Sequence, residues 1–385
     1  MRTVVQVTPY YPPHLGGIEE VVRHLAEYLS RDHEVHVVTS ALRGEFPAPG
    51  AGHSTVVNVH RHHAVKIAHT VVAPGLVFPL LRAPSSAVIH VHLPHALVPE
   101  QVALAARLRG QRFLVHFHGD DSAAGAMGWL LPLYKRHILM RTLGAAAGVI
   151  ALTPDQADYV CDTYRIPADR IFIVPNGVGP EFFRPTPEPR PERELELVSV
   201  GRLNVQKNIA RLLEAISLAR EPVRLTVVGD GELRTRLHAQ ARDLGLTGGP
   251  HPRVRFTGTL RDGDLVDAYH RADAFVLSSN SEGMPLVALE AMASALPVVA
   301  TAVTGSAELL RGIGLLTPPD PRHLAHAIDQ LARSPELRGR LARKSARAAT
   351  AYSWDTVADQ VRGIYEHVYG AVGTTAPTVL SGAAR

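Results

Sequence analysis

Short runs rich in valine and isoleucine recur along this chain, spaced by helix-length segments, and the rhythm is broken once by a proline-rich stretch. The first series is Thr3–Val7, Glu34–Thr39, Val56–Val59, Ala87–Val91, Arg112–Phe117, Gly148–Leu152 and Ile171–Val174. Phe182–Glu194 then carries Pro185, Pro187, Pro189 and Pro191 among charges, too stiff and polar to pack. The rhythm restarts at Leu195–Val200, Arg224–Val228, Val254–Phe256, Ala274–Leu277 and Pro297–Thr301. Apolar runs without strict alternation fit strands buried on both faces, hence parallel strands with helical crossovers. The pattern predicts an α/β fold of two doubly wound, Rossmann-like domains facing a central cleft. Such sheets bind ligands beyond the carboxyl ends of their strands.

The expected boundaries are 1–180 for the first domain, 181–194 for the linker and 195–352 for the second domain. A helix over 353–370 is expected to pack back on the first domain, with Trp354, Val357, Val361, Ile364, Tyr365 and Val368 as its apolar face, and 371–385 to be a disordered tail. Thr153-Pro154-Asp155-Gln156 and Asp320-Pro321 both read as helix starts. A length of 385 residues suits two cores. The single cysteine, Cys161, excludes an internal disulfide or a cysteine zinc cluster. A net charge of +4 is too mild for a nucleic-acid binder. No run approaches the roughly 18 apolar residues of a membrane-spanning helix. Met1-Arg2 leads straight into the first strand without signal-peptide organisation, so a cytoplasmic location is expected.

Three segments carry chemistry. Gly16-Gly17 lets backbone N–H groups approach an anion; a glycine pair alone is better explained by a tight turn, but the rigid run Pro9–His14 before it tips the reading toward a ligand loop. Arg202 and Lys207 follow the first strand of the second domain, where two cations can neutralise a departing diphosphate. Glu282 lies in a loop before a helix opened by Pro285 and carrying Glu290, and that helix's first-turn amides suit phosphate.

Taken together, Tyr11-Pro12-Pro13-x-x-Gly16-Gly17, Gly201-Arg202-x(4)-Lys207, Val174-Pro175-Asn176-Gly177-Val178 and Glu282-x(7)-Glu290 resemble the retaining GT-B glycosyltransferases of family 4, across roughly residues 3–370. The resemblance implies an acceptor-binding first domain and a nucleotide-sugar-binding second domain. It implies that Gly16 and Gly17 meet the donor diphosphate, and that Arg202 and Lys207 bind it from the second domain. Glu282 would hold sugar hydroxyls beside Gly283, Met284, Pro285, Leu286 and Val287. Glu290 would hold the ribose, and Gly258, Thr259 and Leu260 would flank the nucleobase. His118 matches the family's histidine near the reacting sugar. Where many relatives carry an aromatic-Gly-Leu stretch after the first glutamate, this chain is shortened to Gly283-Met284-Pro285. The implied reaction moves a hexosyl-type sugar to a hydroxyl acceptor, lipid-linked or a small molecule, with no cofactor and no metal.

Competing readings follow from other residues. Asp262-Gly263-Asp264 has the letters of a metal motif, but it follows a strand and precedes a helix, so capping explains it better. His90 and His92 share one face of a strand, as do His116 and His118. With Asp120 and Asp121 nearby, these histidines make a metal-dependent hydrolase the alternative. A non-catalytic sugar-nucleotide-binding protein is another. Asp120 and Asp121 also suit a cationic acceptor. Gly128–Ala147, basic and apolar, and the neighbouring Thr70–Ala83 fit peripheral attachment to an anionic membrane such as the inner face of the plasma membrane, or an ordinary packed helix and loop.

Overall fold

The structure is a computed structural model and describes residues 2–14, 16–42, 57–67, 70–93, 97–119, 131–185 and 194–370. Two compact units make up the chain: the first joins residues up to Asn176 with those from Trp354 onward, and the second is Gly177–Ser353.

Strands β1 (Thr3–Val7), β2 (Glu34–Ser40), β3 (Asn58–His62), β6 (Val88–Leu93), β7 (Leu114–Phe117), β8 (Gly148–Ala151) and β9 (Ile171–Ile173) form a seven-stranded sheet ordered β3-β2-β1-β6-β7-β8-β9. Every pairing in it is parallel. A separate antiparallel pair, β4 (Val65–Ile67) with β5 (Thr70–Val72), precedes β6; the sequence pattern did not separate these three-residue strands. In the second unit, β10 (Leu195–Val200), β11 (Val223–Val228), β12 (Val254–Gly258), β13 (Ala274–Leu277), β14 (Val298–Thr301) and β15 (Leu315–Thr317) form a parallel sheet ordered β12-β11-β10-β13-β14-β15. Each order runs outward from its first strand and reverses beside it, the doubly wound arrangement.

One face of the first sheet packs Val5, Val7, Ile89, Val91, Val115 and Phe117 against Val98 and Val102 of helix Val98–Arg109, all 0–5% exposed. The alternate residues turn Gln6, His90, His92 and His116 to the other face, also fully buried. Helix Trp354–Tyr369 belongs to this unit, packs on helix Gly17–Leu29, and buries Trp354, Val357, Ala358, Val361, Ile364, Tyr365 and Val368.

Local signals act where the side chains allow. Thr153 caps helix Pro154–Tyr164 by accepting from Gln156 N at 3.2 Å, and Asp320 caps helix Pro321–Arg333 by accepting from Arg322 N at 2.9 Å. Asp262 and Asp264 stand in the first turn of helix Asp262–Arg271, with Arg261 at its cap position. Their charge complements the helix dipole, rather than capping it as the sequence suggested. Of the proline-rich stretch, residues 186–193 lie outside the described residues, as do 371–385. Its beginning is packed in the second unit: Phe182 is 8% exposed, and Arg184 Nε donates to Ser294 O at 2.6 Å. Among the described residues no helix is long and apolar enough to cross a membrane.

Candidate functional site

The loop leaving β10 is shaped by close backbone contact. A Cβ on Gly229, whose φ is +133°, would stand 2.0 Å from the carbonyl oxygen of Gly201. Only glycine there lets the loops after β10 and β11 meet. Gly229 N in turn donates to Gly258 O at 2.8 Å, which brings in the loop after β12. Gly258, at φ +73°, ends β12, and Thr259 and Leu260 follow it beyond the carboxyl end of the same sheet. Asn204 Oδ1 accepts from Lys207 N at 3.0 Å, and Asn208 caps helix Ile209–Leu218.

The β10 loop is stapled to the loop leaving β13, its neighbour at the strand-order reversal. Asn280 N donates to Gln206 O at 2.7 Å, and Asn280 Nδ2 to Val205 O at 2.8 Å. Arg211 donates to Ser278 O and to Asn280 Oδ1, both at 2.8 Å. Gln206 Nε2 donates to Ser281 O at 3.0 Å. This lattice sets Lys207 Nζ 2.7 Å from Glu282 Oε1, and the Ser279 hydroxyl donates to the same oxygen at 2.5 Å. Both side chains are largely covered, Lys207 at 17% exposure and Glu282 at 5%. Arg202 is exposed on the same loop.

Beyond Glu282, Gly283 is half-buried, Met284 and Pro285 are buried, and helix Leu286–Ala293 begins one residue after Pro285. The proline thus occupies the cap position rather than the first turn. Leu286 and Val287 are half-buried at the helix start, and Glu290 lies one turn further. Its Oε2 accepts from the Tyr269 hydroxyl at 2.6 Å. Burial, then the Glu290 charge, drives the Tyr269 phenol well above its ordinary pKa, so it stays a neutral donor. Opposite Glu282, a Cβ on Gly305 would fall 1.9 Å from Gly283 O.

In the first unit, Gly16 and Gly17 lie at the start of helix Gly17–Leu29, after the loop that leaves β1. Neither has a positive φ, so a left-handed turn is not why they are glycine. A Cβ on Gly16 would instead meet the Glu19 carboxylate at 2.1 Å, and His14 Nδ1 lies 3.0 Å from that carboxylate. His118 follows β7 directly, 9% exposed, with Nε2 2.9 Å from His92 Nδ1. Burial brings its pKa down to about 3, so the ring is neutral. Asp120 and Asp121 lie outside the described residues.

Within the second unit the structure brings Lys207 and Glu282 together and places Glu290 on the following helix. Ser279, Tyr269, Asn204, Asn280 and Gly305 are the contributors that sequence reasoning passed over. Tyr269 lies 21 residues before Glu290, and only the packing of two helices joins them.

Two family models match, Glycosyltransferase Family 4 over residues 15–182 and Glycosyl transferases group 1 over residues 183–348. The D-inositol 3-phosphate glycosyltransferase of Acidothermus cellulolyticus is 30% identical, over 91% of this chain and 85% of its own. Among solved structures, the sucrose-phosphate synthase of Thermosynechococcus elongatus superposes with a TM-score of 0.76 at 22% identity, covering 96% of this chain and 99% of its own. Anabaena HepE, in complex with UDP and glucose, gives 0.73 at 18% identity, covering 95% and 100%. These matches favour sugar transfer over the hydrolase reading of His90, His92, His116 and His118. The chain belongs to glycosyltransferase family 4 and is a glycosyltransferase of the two-domain GT-B fold.

Proposed function

We propose that this enzyme moves a hexosyl-type sugar from a nucleotide-diphosphate sugar to an acceptor hydroxyl, retaining the anomeric configuration and using no divalent ion on the diphosphate. The observation that carries this is the Lys207–Glu282 contact at the β10/β13 reversal, where open parallel sheets bind ligands. A lysine there offers three donors to a diphosphate, with the exposed Arg202 guanidinium on the same loop as its partner. Charge developing on the leaving group then meets fixed cations, which removes the need for a metal. Glu282 Oε1 is engaged by Lys207 and Ser279, which suits holding hydroxyls better than attacking carbon. Retention then follows from the acceptor hydroxyl entering on the face the diphosphate leaves.

Glu290, steadied by Tyr269, is assigned to the ribose, Gly283 to Val287 to the sugar and phosphates, and Gly258 to Leu260 to the base. From the first unit, Gly16, Gly17 and His118 are carried forward as ligand-facing because they follow the carboxyl ends of β1 and β7. Asp120 and Asp121 are assigned to the acceptor. The name of the Acidothermus relative supports a small polyol phosphate as acceptor.

A second reading, a lipid-borne acceptor at an anionic membrane, draws on Leu133 and Ile138, 52% and 48% exposed beside exposed Arg136, His137 and Arg141. Co-sedimentation with anionic vesicles at low salt separates the two; no binding removes the lipid reading. For the main proposal, nucleotide sugars are screened by thermal shift, and the product of the stabilising donor is examined by NMR at the new anomeric centre. An inverted product, or turnover of chelator-treated enzyme that appears only with added Mg²⁺ or Mn²⁺, overturns it.

A further inference from the structure

Sugar transfer leaves unexplained a polar lane through the middle of the first sheet. Gln6 on β1, His90 and His92 on β6 and His116 on β7 share one face and are each 0–1% exposed. Gln6 is the register partner of His90, and His92 of His116. A buried polar group without a partner costs about 1–3 kcal/mol. Yet among the described residues His90 Nε2, both ring nitrogens of His116 and Gln6 Nε2 have no hydrogen-bond partner. One nitrogen from each of His90, His92 and His116 lies within 4.8 Å of the other two.

We propose that His90, His92 and His116 hold one divalent ion of the zinc class, which clips β6 to β7 inside the first unit. The ion supplies the partner that His90 Nε2 and His116 lack, and on His92 it takes the place of His118 Nε2, now 2.9 Å from Nδ1. Metal-bound histidines as a rule give their second ring nitrogen to another group, which fixes the ring. Two of the three have such a group: His90 Nδ1 lies 2.7 Å from the Tyr365 hydroxyl, and His92 Nε2 3.0 Å from Gln6 Oε1. Metal ligation uses each imidazole in its unprotonated form, one nitrogen on the ion and the other free to donate.

Zinc–nitrogen bonds of about 2.0–2.1 Å at tetrahedral angles put ligand nitrogens roughly 3.3 Å apart. In the structure the rings are stacked, with His90 and His92 centroids 4.5 Å apart and His90 and His116 5.4 Å apart. Binding therefore asks the rings to turn and close by roughly 1–2 Å. An all-imidazole set selects zinc, cobalt, nickel or copper over magnesium and calcium, which prefer oxygen. Complete burial leaves no position for a substrate, so the ion is structural and takes no part in transfer.

The chain is stripped with a chelator, titrated with Zn²⁺ or Co²⁺, and passed through gel filtration before elemental analysis. One retained equivalent, a raised Tm and visible Co²⁺ absorption bands are expected. His116→Phe keeps a flat ring but removes a ligand, so retention should weaken at least tenfold while the Tm measured without added ion holds or rises. His90→Phe is the second variant should the first fail to fold. Absence of retention and of Co²⁺ bands in the unaltered chain overturns the proposal without recourse to any variant. So does retention unchanged in both variants, which would place the ion elsewhere among the 21 histidines.

Discussion

The Lys207 ammonium lies 2.7 Å from Glu282 Oε1, joining the loop after β10 to the loop after β13 through two mostly covered charges. Removing either charge alone strands the other in a poorly hydrated place, which costs about 3–5 kcal/mol when burial is complete and less here. Stability and catalysis can therefore be separated. Lys207→Ala should cut turnover by roughly two orders of magnitude, the scale of losing one preorganised charge stabiliser, and should also lower Tm. Adding Glu282→Gln should recover much of the Tm and none of the turnover. Near-native turnover in Lys207→Ala, read at a temperature where the variant is folded, removes the phosphate role.

Tyr269 gives a second handle on the donor site. Its buried hydroxyl lies 2.6 Å from Glu290 Oε2 and 3.2 Å from Val287 O, with ring contacts to Phe182 and Phe275. Tyr269→Phe keeps the ring and deletes both contacts, of which the shorter one to the carboxylate is the stronger. A ribose-holding Glu290 then loses its tether, and the donor KM should rise roughly tenfold with kcat changed little, the scale of one hydrogen bond to a charged group. Initial-rate kinetics over donor concentration decide it; an unchanged KM detaches Glu290 from donor binding.

Gly305 tests the backbone under Glu282. Its missing Cβ would lie 1.9 Å from Gly283 O and 2.8 Å from Glu282 O, and both are main-chain atoms that cannot swing aside. Gly305→Ala should cost about 1–3 kcal/mol by overpacking and reduce kcat/KM as the Glu282-Gly283 peptide shifts. Gly263→Ala, at a glycine whose added Cβ would meet nothing within 4 Å, should leave both unchanged. Equal behaviour of the two variants in thermal melts and kinetics refutes the packing argument.

The strands could be read from residues because buried parallel strands draw short runs rich in valine, isoleucine and leucine, and β1, β10 and β13 match theirs residue for residue. β15 escaped because three residues after Gly314 carry no readable period. Site residues divide the same way. Lys207 and Glu282 are visible as charges at strand ends, whereas the Asn208–Asn280 and Arg211–Asn280 bonds join positions about 70 residues apart. Nothing local specifies such pairs. Histidine spacing gave the shared face of His90 and His92, but only the register of His92 with His116 shows that the two pairs form one lane.

The last prediction concerns pH and the return of the final helix. The His24 ring stacks on Trp354 with centroids 4.8 Å apart and planes 17° from parallel. Burial first, then the Arg23 guanidinium, lowers the His24 pKa to about 3. The groups around it are Arg23, whose Nη2 is 2.8 Å from His24 Nε2, and Glu20, whose carboxylate is 3.9 Å away; across the helix boundary, Asp355 is engaged by Arg31. The unfolded imidazole titrates near 6.5, so between about pH 6.5 and 3 the unfolded chain binds a proton that the folded chain refuses. His24 therefore contributes full stability above that window, and the contribution falls by up to about 1.4 kcal/mol per pH unit as acid is added. Trp354 and Trp129 are the two tryptophans, so in a Trp129→Phe background fluorescence reports this helix. The Trp354 transition should move to lower denaturant as pH drops below 6.5, and His24→Phe should flatten that acid limb. An acid limb of unchanged slope in His24→Phe assigns the sensitivity to other groups.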